Sequence, residues 1–178
     1  LAISHINNKD FNHKVVGTIT TNSGLENKLK ELNIDLYRSD VGDKNVYSMM
    51  KKTGAIIGGE SSGHIINSQF SPTGDAMLTA LIIIKESILS KKLISEMVEG
   101  LEPLSIINEN IDIEGFENIS DQFLSDLSIK ANNDFTDGRI IIRPSGTEPV
   151  IRISIEYTDE NTASLALESI VKTIKENG

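Results

Sequence analysis

The sequence predicts an α/β fold. A partial three-layer α/β/α domain with a mainly parallel sheet (residues 1–90) is followed by a small α+β domain (residues 91–178). Two observations carry this. Through about residue 89, short β-branched runs alternate with segments of helical period, the signature of βα units. From about Ser90 the alternation ends, and two β-branched runs, Ile140–Ile142 and Val150–Ile155, stand close together among helical segments. Pro103 lies near the boundary, with no long flexible linker around it.

Residues 15–20 (Val-Val-Gly-Thr-Ile-Thr) form a short apolar run suited to a buried strand. Thr21-Asn22-Ser23-Gly24 leads into a helix in which Leu25, Leu29 and Leu32 keep helical spacing. Ile34–Arg38 reads as a strand, Asp43–Lys52 as a helix and Ala55–Ile57 as a strand. A Gly-rich loop and a brief strand at Ile65-Ile66 follow. Thr73-Gly74-Asp75 opens a helix to about Leu89, with Asp75 where a carboxylate suits the helix dipole. Further on, the pattern predicts a short helix over Lys91–Leu101, a strand over Ile106–Ile113 and a helix over Ile119–Ala131. Strands flank residues 143–149, and a closing helix runs from about Glu160 to Lys175. Its apolar stripe is Ala163, Leu167, Ile170, Val171 and Ile174.

The chain has 178 residues, 38% of them hydrophobic, enough for one domain or two small ones. Seventeen basic residues against 26 acidic give a net charge of −9, which argues against nucleic acid or an anionic membrane as general partners. Without cysteine there is no disulfide or thiolate metal site. No apolar stretch is long enough for a transmembrane helix and no signal-peptide pattern is present, so the expectation is a soluble, cytoplasmic protein. The chain begins at Leu1, and Leu1-Ala2-Ile3-Ser4 reads like the middle of an apolar element. The expectation is a fragment cut within a domain.

The residues that carry chemistry centre on Arg143-Pro144-Ser145-Gly146-Thr147-Glu148-Pro149. This loop gathers two hydroxyls (Ser145, Thr147), a bendable backbone at Gly146, and guanidiniums entering at Arg143 and returning at Arg152. Along the second strand Ile151, Ile153 and Ile155 share one face, leaving Arg152 on the other. Such a set suits a phosphate dianion, because each charge-assisted hydrogen bond is worth about 1.5–3 kcal/mol. A tight hairpin with solvated arginines is the alternative.

Upstream, Gly58-Gly59-Glu60-Ser61-Ser62-Gly63-His64 directly follows a strand. If it runs extended, Glu60, Ser62 and His64 project to one side, where carboxylate, hydroxyl and imidazole suit sugar hydroxyls. A polar turn is the alternative. Asp40-Val41-Gly42-Asp43-Lys44 reads as a turn with an acidic helix start. His5 and His13 have no partner at metal-ligand spacing, and the acidic pairs Asp112/Glu114 and Asp159/Glu160 fit solvated faces.

Residues 143–149, continuing into Val150-Ile151-Arg152, resemble the phosphate-binding loop in the last domain of the α-D-phosphohexomutases. Gly59-Glu60-Ser61-Ser62-Gly63-His64 resembles the Gly-Glu-x-Ser-Gly-His sugar-recognition loop of that family's third domain, and the two loops stand in the family's order. Within the family, Val41-Gly42-Asp43 and a basic residue resemble the phosphoglucosamine mutase branch. That branch usually has Arg where Lys44 stands, and Lys lacks the bidentate fork. Thr18–Glu26 resembles, imperfectly, the branch's Met-Ser-Asn-x-Gly-Leu-Glu segment. Thr73-Gly74-Asp75 matches its helix start.

The resemblance implies the C-terminal half of such an enzyme: most of a sugar-binding third domain (1–90) and a phosphate-binding fourth domain (91–178). The implied reaction interconverts glucosamine 6-phosphate and glucosamine 1-phosphate through a phosphoserine enzyme and a bisphosphate. Arg143, Ser145, Gly146, Thr147 and Arg152 would hold the distal phosphate. Glu60, Ser62 and His64 would read ring hydroxyls, with Asp43 and Lys44 accessory. The phosphoserine loop and the Asp-Gly-Asp-x-Asp-Arg loop that binds Mg²⁺ would belong to missing N-terminal domains, since neither pattern occurs here. This chain would then hold no catalytic residue and no metal, and would be inactive alone. Its implied partners are a phosphosugar and those missing domains, with a homodimer left open. The alternatives are a phosphomannomutase/phosphoglucomutase or a non-catalytic phosphosugar-binding module.

Overall fold

The computed structural model describes residues 9–113, 119–146 and 148–177. The chain divides into two compact units, Leu1–Pro103 and Leu104–Gly178. The division falls downstream of the expected 90/91 boundary. The reason is that the chain at 102–103 still packs on the first unit: the Glu102–Pro103 backbone lies against Gly24, closer than a Cβ there would allow.

The first unit runs β1 (Lys14–Thr18), α1 (Ser23–Glu31), β2 (Asp35–Ser39), α2 (Asp43–Thr53), β3 (Ile57–Gly59), β4 (Ile65–Asn67) and α3 (Ala76–Ser90). Its strand order is β2-β1-β3-β4; β1 pairs in parallel with β2 and β3, while β4 is antiparallel to β3. The alternation of side chains along β1 gives the sheet two apolar faces. Val15 joins Phe11, Leu29, Ile34 and Ile57 on one. Val16 joins Val46, Met50, Ala55 and Ile66 on the other. Helix α2 sits so close to β3 that a Cβ on Gly58 would come within 2.6 Å of Met50 Sδ.

Helix starts follow side-chain caps. Asn22 Oδ1 accepts from Gly24 N–H at 2.8 Å, and Asp75 Oδ1 accepts from Leu78 N–H at 2.9 Å, as its position predicts. Helix α3 is apolar on nearly every side, yet only Ile82 is buried. Met77, Leu81, Ile84 and Ile88 are exposed at i, i+4, i+7 and i+11, one continuous stripe.

The helix expected over Lys91–Leu101 does not form. Lys91 ends α3 in the left-handed region (φ 55°), and only a single 3-10 turn, Glu96–Val98, follows. Leu93, Ile94 and Val98 stay exposed, so no core supports a longer helix.

The second unit runs β5 (Ser105–Asp112), α4 (Asp121–Asp134), β6 (Gly138–Pro144), β7 (Val150–Tyr157) and α5 (Glu160–Asn177). The three strands are antiparallel in the order β5-β7-β6. One face is core: Ile140, Ile142, Ile151, Ile153 and Ile155 pack with Leu124 and Leu127 of α4 and with Ala163, Ile170 and Ile174 of α5. Alternation puts Arg139 and Arg143 of β6, and Arg152, Ser154 and Glu156 of β7, on the opposite face. Glu156 is buried there and pairs with Arg139 Nη2 at 3.0 Å. Among the described residues, no helix is long and apolar enough to cross a membrane.

Candidate functional site

In the first unit, three stretches far apart in sequence meet where β1, β2 and β3 end, the carboxyl edge at which parallel sheets place ligands. They are Thr18–Asn22, Asp40–Lys44 and Gly58–His64. Arg38 of β2 secures the first. Its Nη1 donates to Thr18 O at 3.2 Å and Thr21 O at 2.5 Å, and its Nη2 meets Glu26 Oε2 at 2.8 Å. The Arg38 guanidinium outweighs burial and, with Lys30, holds the Glu26 carboxyl below the usual carboxylate range.

Glu60 joins the second and third stretches: its Oε1 accepts from the backbone N–H of Gly42 at 2.7 Å. Gly42 is the N-cap residue of α2 and has φ 120°, a conformation that suits only glycine. Asp43, in the first turn of α2, caps its neighbour by accepting from Lys44 N–H at 2.8 Å. Lys44 is exposed. Above an apolar floor that includes Val15, Leu36 and Ile57, Asn22, Glu60 and Ser61 line a cleft of about 750 Å³.

The segment from Glu60 to His64 is a hairpin turn, not the extended run on which a shared side for Glu60, Ser62 and His64 depended. Gly63 N–H donates to Glu60 O at 3.1 Å, and Glu60 N–H to His64 O at 3.0 Å. Gly63 takes φ 92°. The turn is possible because β4 can pair back on β3, a tertiary choice that spacing in the sequence does not reveal. Within it, Ser62 Oγ lies 3.0 Å from His64 Nδ1, and Ser61 Oγ lies 3.2 Å from Thr20 Oγ1. Sequence reasoning passed over Thr20 and Ser61. The spacing that selected every second residue excluded Ser61, and nothing local ties Thr20 to it.

In the second unit, β6 and β7 bring Arg143 and Arg152 directly opposite each other. The loop between them is closed by Ser145 N–H donating to Val150 O at 2.8 Å. Arg152 Nη2 pairs with Glu148 Oε2 at 2.5 Å, while its buried Nε has no hydrogen-bond partner. Arg143 makes no ion pair among the described residues. Gly146 is exposed, lies outside the positive-φ region, and has open space where a Cβ would stand. Neither backbone nor packing demands glycine there. Thr147 lies outside the described residues, as do His5 and Glu114.

No group of three or more His, Cys, Asp or Glu able to hold a metal ion occurs among the described residues.

Solved structures share this fold. N-acetylglucosamine-phosphate mutase, a member of the alpha-D-phosphohexomutase superfamily, superposes in its substrate complex with a TM-score of 0.72 at 17% identity, over 97% of this chain and 41% of that one. Aspergillus fumigatus N-acetylphosphoglucosamine mutase, in complex with GlcNAc-6P and magnesium, gives 0.73 at 15% identity over 90% of this chain and 41% of its own. The chain thus shares its fold with these structures.

Sequence matches narrow the class. Residues 1–104 match "Phosphoglucomutase/phosphomannomutase, alpha/beta/alpha domain III" and residues 127–172 match the same family's C-terminal domain. The chain belongs to the phosphoglucomutase/phosphomannomutase family. A phosphoglucosamine mutase of Finegoldia magna is 40% identical over 163 residues, covering 87% of this chain and 36% of the relative; that of Thermotoga neapolitana is 39% identical over 162 residues, covering 90% and 37%. The chain thus spans little more than a third of the length of these relatives.

Proposed function

We propose that this chain is the phosphosugar-gripping C-terminal half of a phosphoglucosamine mutase, which interconverts glucosamine 6-phosphate and glucosamine 1-phosphate. The observation that carries it is Arg143 opposite Arg152 across a hairpin whose loop holds Ser145 and a glycine open to approach. Two guanidiniums and a hydroxyl satisfy a phosphate dianion that no neutral hydroxyl set would hold. The named relatives, phosphoglucosamine mutases at up to 40% identity, favour that branch over phosphomannomutase/phosphoglucomutase. So does the Val41-Gly42-Asp43 turn.

The division of labour follows from the chemistry. The reaction passes the phosphoryl group from a phosphoserine to one end of the sugar phosphate and takes it back from the other. The sugar must therefore be held in two orientations while its distal phosphate stays anchored. Arg143, Ser145, Gly146, Thr147 and Arg152 anchor the phosphate. Glu60 accepts from ring hydroxyls with its Oε2, since Gly42 occupies Oε1, and Ser62 and His64 supplement it as a coupled pair. Asp43 and Lys44 orient the α2 turn that holds Glu60. Positioning of this kind converts binding into rate by holding the reacting atoms in line.

The phosphoserine and Mg²⁺ belong to the part of the enzyme this chain does not span, so the chain alone binds without turnover. The exposed stripe of α3 suits burial against that part.

Calorimetric titration of this chain with glucosamine 6-phosphate, glucose 6-phosphate and mannose 6-phosphate tests the reading. Binding of glucosamine 6-phosphate, weakened about thirtyfold by Arg143→Ala, is expected. Binding indifferent to Arg143 would remove the anchor, and preference for glucose or mannose phosphate would shift the branch.

A further inference from the structure

Three hydroxyls stand in line at the edge of the first unit. Thr18 Oγ1 lies 2.9 Å from Thr20 Oγ1, which lies 3.2 Å from Ser61 Oγ. Their order of burial sets the direction of their protons. Thr18 is fully buried, and its Oγ1 already accepts from Thr20 N–H at 3.3 Å. Among the described residues, Thr20 Oγ1 is the acceptor within reach of the Thr18 proton. A buried O–H without an acceptor is costly, so Thr18 donates to Thr20. Thr20 then keeps its own proton to give, and among the described side chains Ser61 Oγ is the acceptor within reach once Thr18 Oγ1 is donating, which assigns the Thr20–Ser61 bond the direction Thr20 to Ser61. With Ser61 Oγ accepting from Thr20, its own proton is left to donate elsewhere, and Ser61 and Glu60 both line the cleft.

We propose, resting on the phosphosugar reading above, that Ser61 is a specificity-determining residue donating to a sugar oxygen next to the hydroxyl that Glu60 holds. Thr20 is its positioning residue. Glu60 Oε2 accepts and Ser61 donates, a pair matched to two adjacent ring oxygens of which one gives a proton and the other receives one. A vicinal diol offers this arrangement, and an isolated hydroxyl does not. Ser62 is engaged by His64 instead. Ser61 stands at the variable position of Gly-Glu-x-Ser-Gly-His.

The test is calorimetric titration of the 178-residue chain with glucosamine 6-phosphate, using wild type, Glu60→Ala, Ser61→Ala, Thr20→Val and Thr20→Ser. Ser61→Ala is expected to weaken binding about fivefold to tenfold and Thr20→Val about threefold to fivefold. Thr20→Ser should stay within about twofold, because it keeps the hydroxyl. Thermal midpoints should change little for Ser61→Ala and Thr20→Ser, and should fall for Thr20→Val, which takes the acceptor from the buried Thr18 hydroxyl.

Loss on Glu60→Ala, with Ser61→Ala and Thr20→Val both at wild-type affinity, would overturn the hydroxyl-chain inference and leave the phosphosugar reading standing. No binding by wild type would overturn both. A second measurement needs no ligand: proton NMR should show a Thr18 hydroxyl that exchanges slowly with water in wild type and Thr20→Ser, and rapidly in Thr20→Val. Fast exchange in wild type would overturn the proton direction.

Discussion

The backbone N–H of Gly42 donates to Glu60 Oε1 at 2.7 Å, joining the first residue of one helix cap to the carboxylate of a distant hairpin. One carboxylate oxygen is thereby fixed, which on the proposed reading leaves Oε2 to meet a sugar hydroxyl. The bond also sets a negative charge at the N-terminus of α2, where the helix dipole favours it.

Gly42→Ala should therefore damage two things at once. An alanine at φ 120° costs about 1–3 kcal/mol of backbone strain, and relaxing that strain moves the N–H away from Glu60. Chemical denaturation should show the stability loss, and sugar-phosphate affinity should fall with it. Glu60→Gln keeps an acceptor for Gly42 and should retain stability while losing affinity. Wild-type affinity in Gly42→Ala, despite its lost stability, would refute the anchoring role.

On the proposed reading, Glu148 and a bound phosphate would compete for the same guanidinium, since Glu148 Oε2 sits 2.5 Å from Arg152 Nη2. The pair is partly exposed and worth at most about 1 kcal/mol. Glu148→Gln should release Arg152 and tighten binding of inorganic phosphate by about threefold, measured by titration at low salt. Weaker binding would mean that Glu148 orients Arg152 for the ligand.

The Arg38–Glu26 pair makes the first unit sensitive to acid. The folded-state pKa of Glu26 is lowered, chiefly by its hydrogen bond with Arg38, so the folded form binds its proton less readily than the unfolded chain. The resulting stabilisation is fully present above the unfolded value near 4.5 and is lost as pH falls through the folded one. The stability gap between wild type and Glu26→Gln should be constant near neutrality and close below about pH 4.5, followed by urea unfolding. A gap that widens in acid would contradict the sign.

Arg139 shields a buried carboxylate. Arg139→Ala leaves Glu156, only 2% exposed, without that partner and should destabilise the second unit by about 3–5 kcal/mol. Arg139→Ala combined with Glu156→Leu should recover much of the loss, because the uncompensated charge is gone. Thermal unfolding of the three forms distinguishes charge burial from lost packing.

The elements were largely legible in the sequence because each is locally determined. β-branched runs became β1, β6 and β7, Asp75 became a cap, and Ala163, Ile170 and Ile174 became the buried stripe of α5. The Lys91–Leu101 helix failed because its apolar residues find no surface to cover, which no window of sequence can report. In the site, the two arginines were visible as one face of a strand pair. The arrangement around Glu60 was not, because assuming an extended chain replaced a hairpin with a straight run.

The sequence by itself determined which groups are present and which lie on a common strand face, because side-chain alternation and capping depend only on near neighbours. Tertiary structure alone decided which of those groups meet. Gly42 reaches Glu60, and Thr20 reaches Ser61, only because parallel pairing sets the ends of β1, β2 and β3 side by side. Hydrogen bonds between segments that distant have no local signature, since the pairing that creates them is paid for by the burial of Val15, Val16 and Ile57 elsewhere in the sheet.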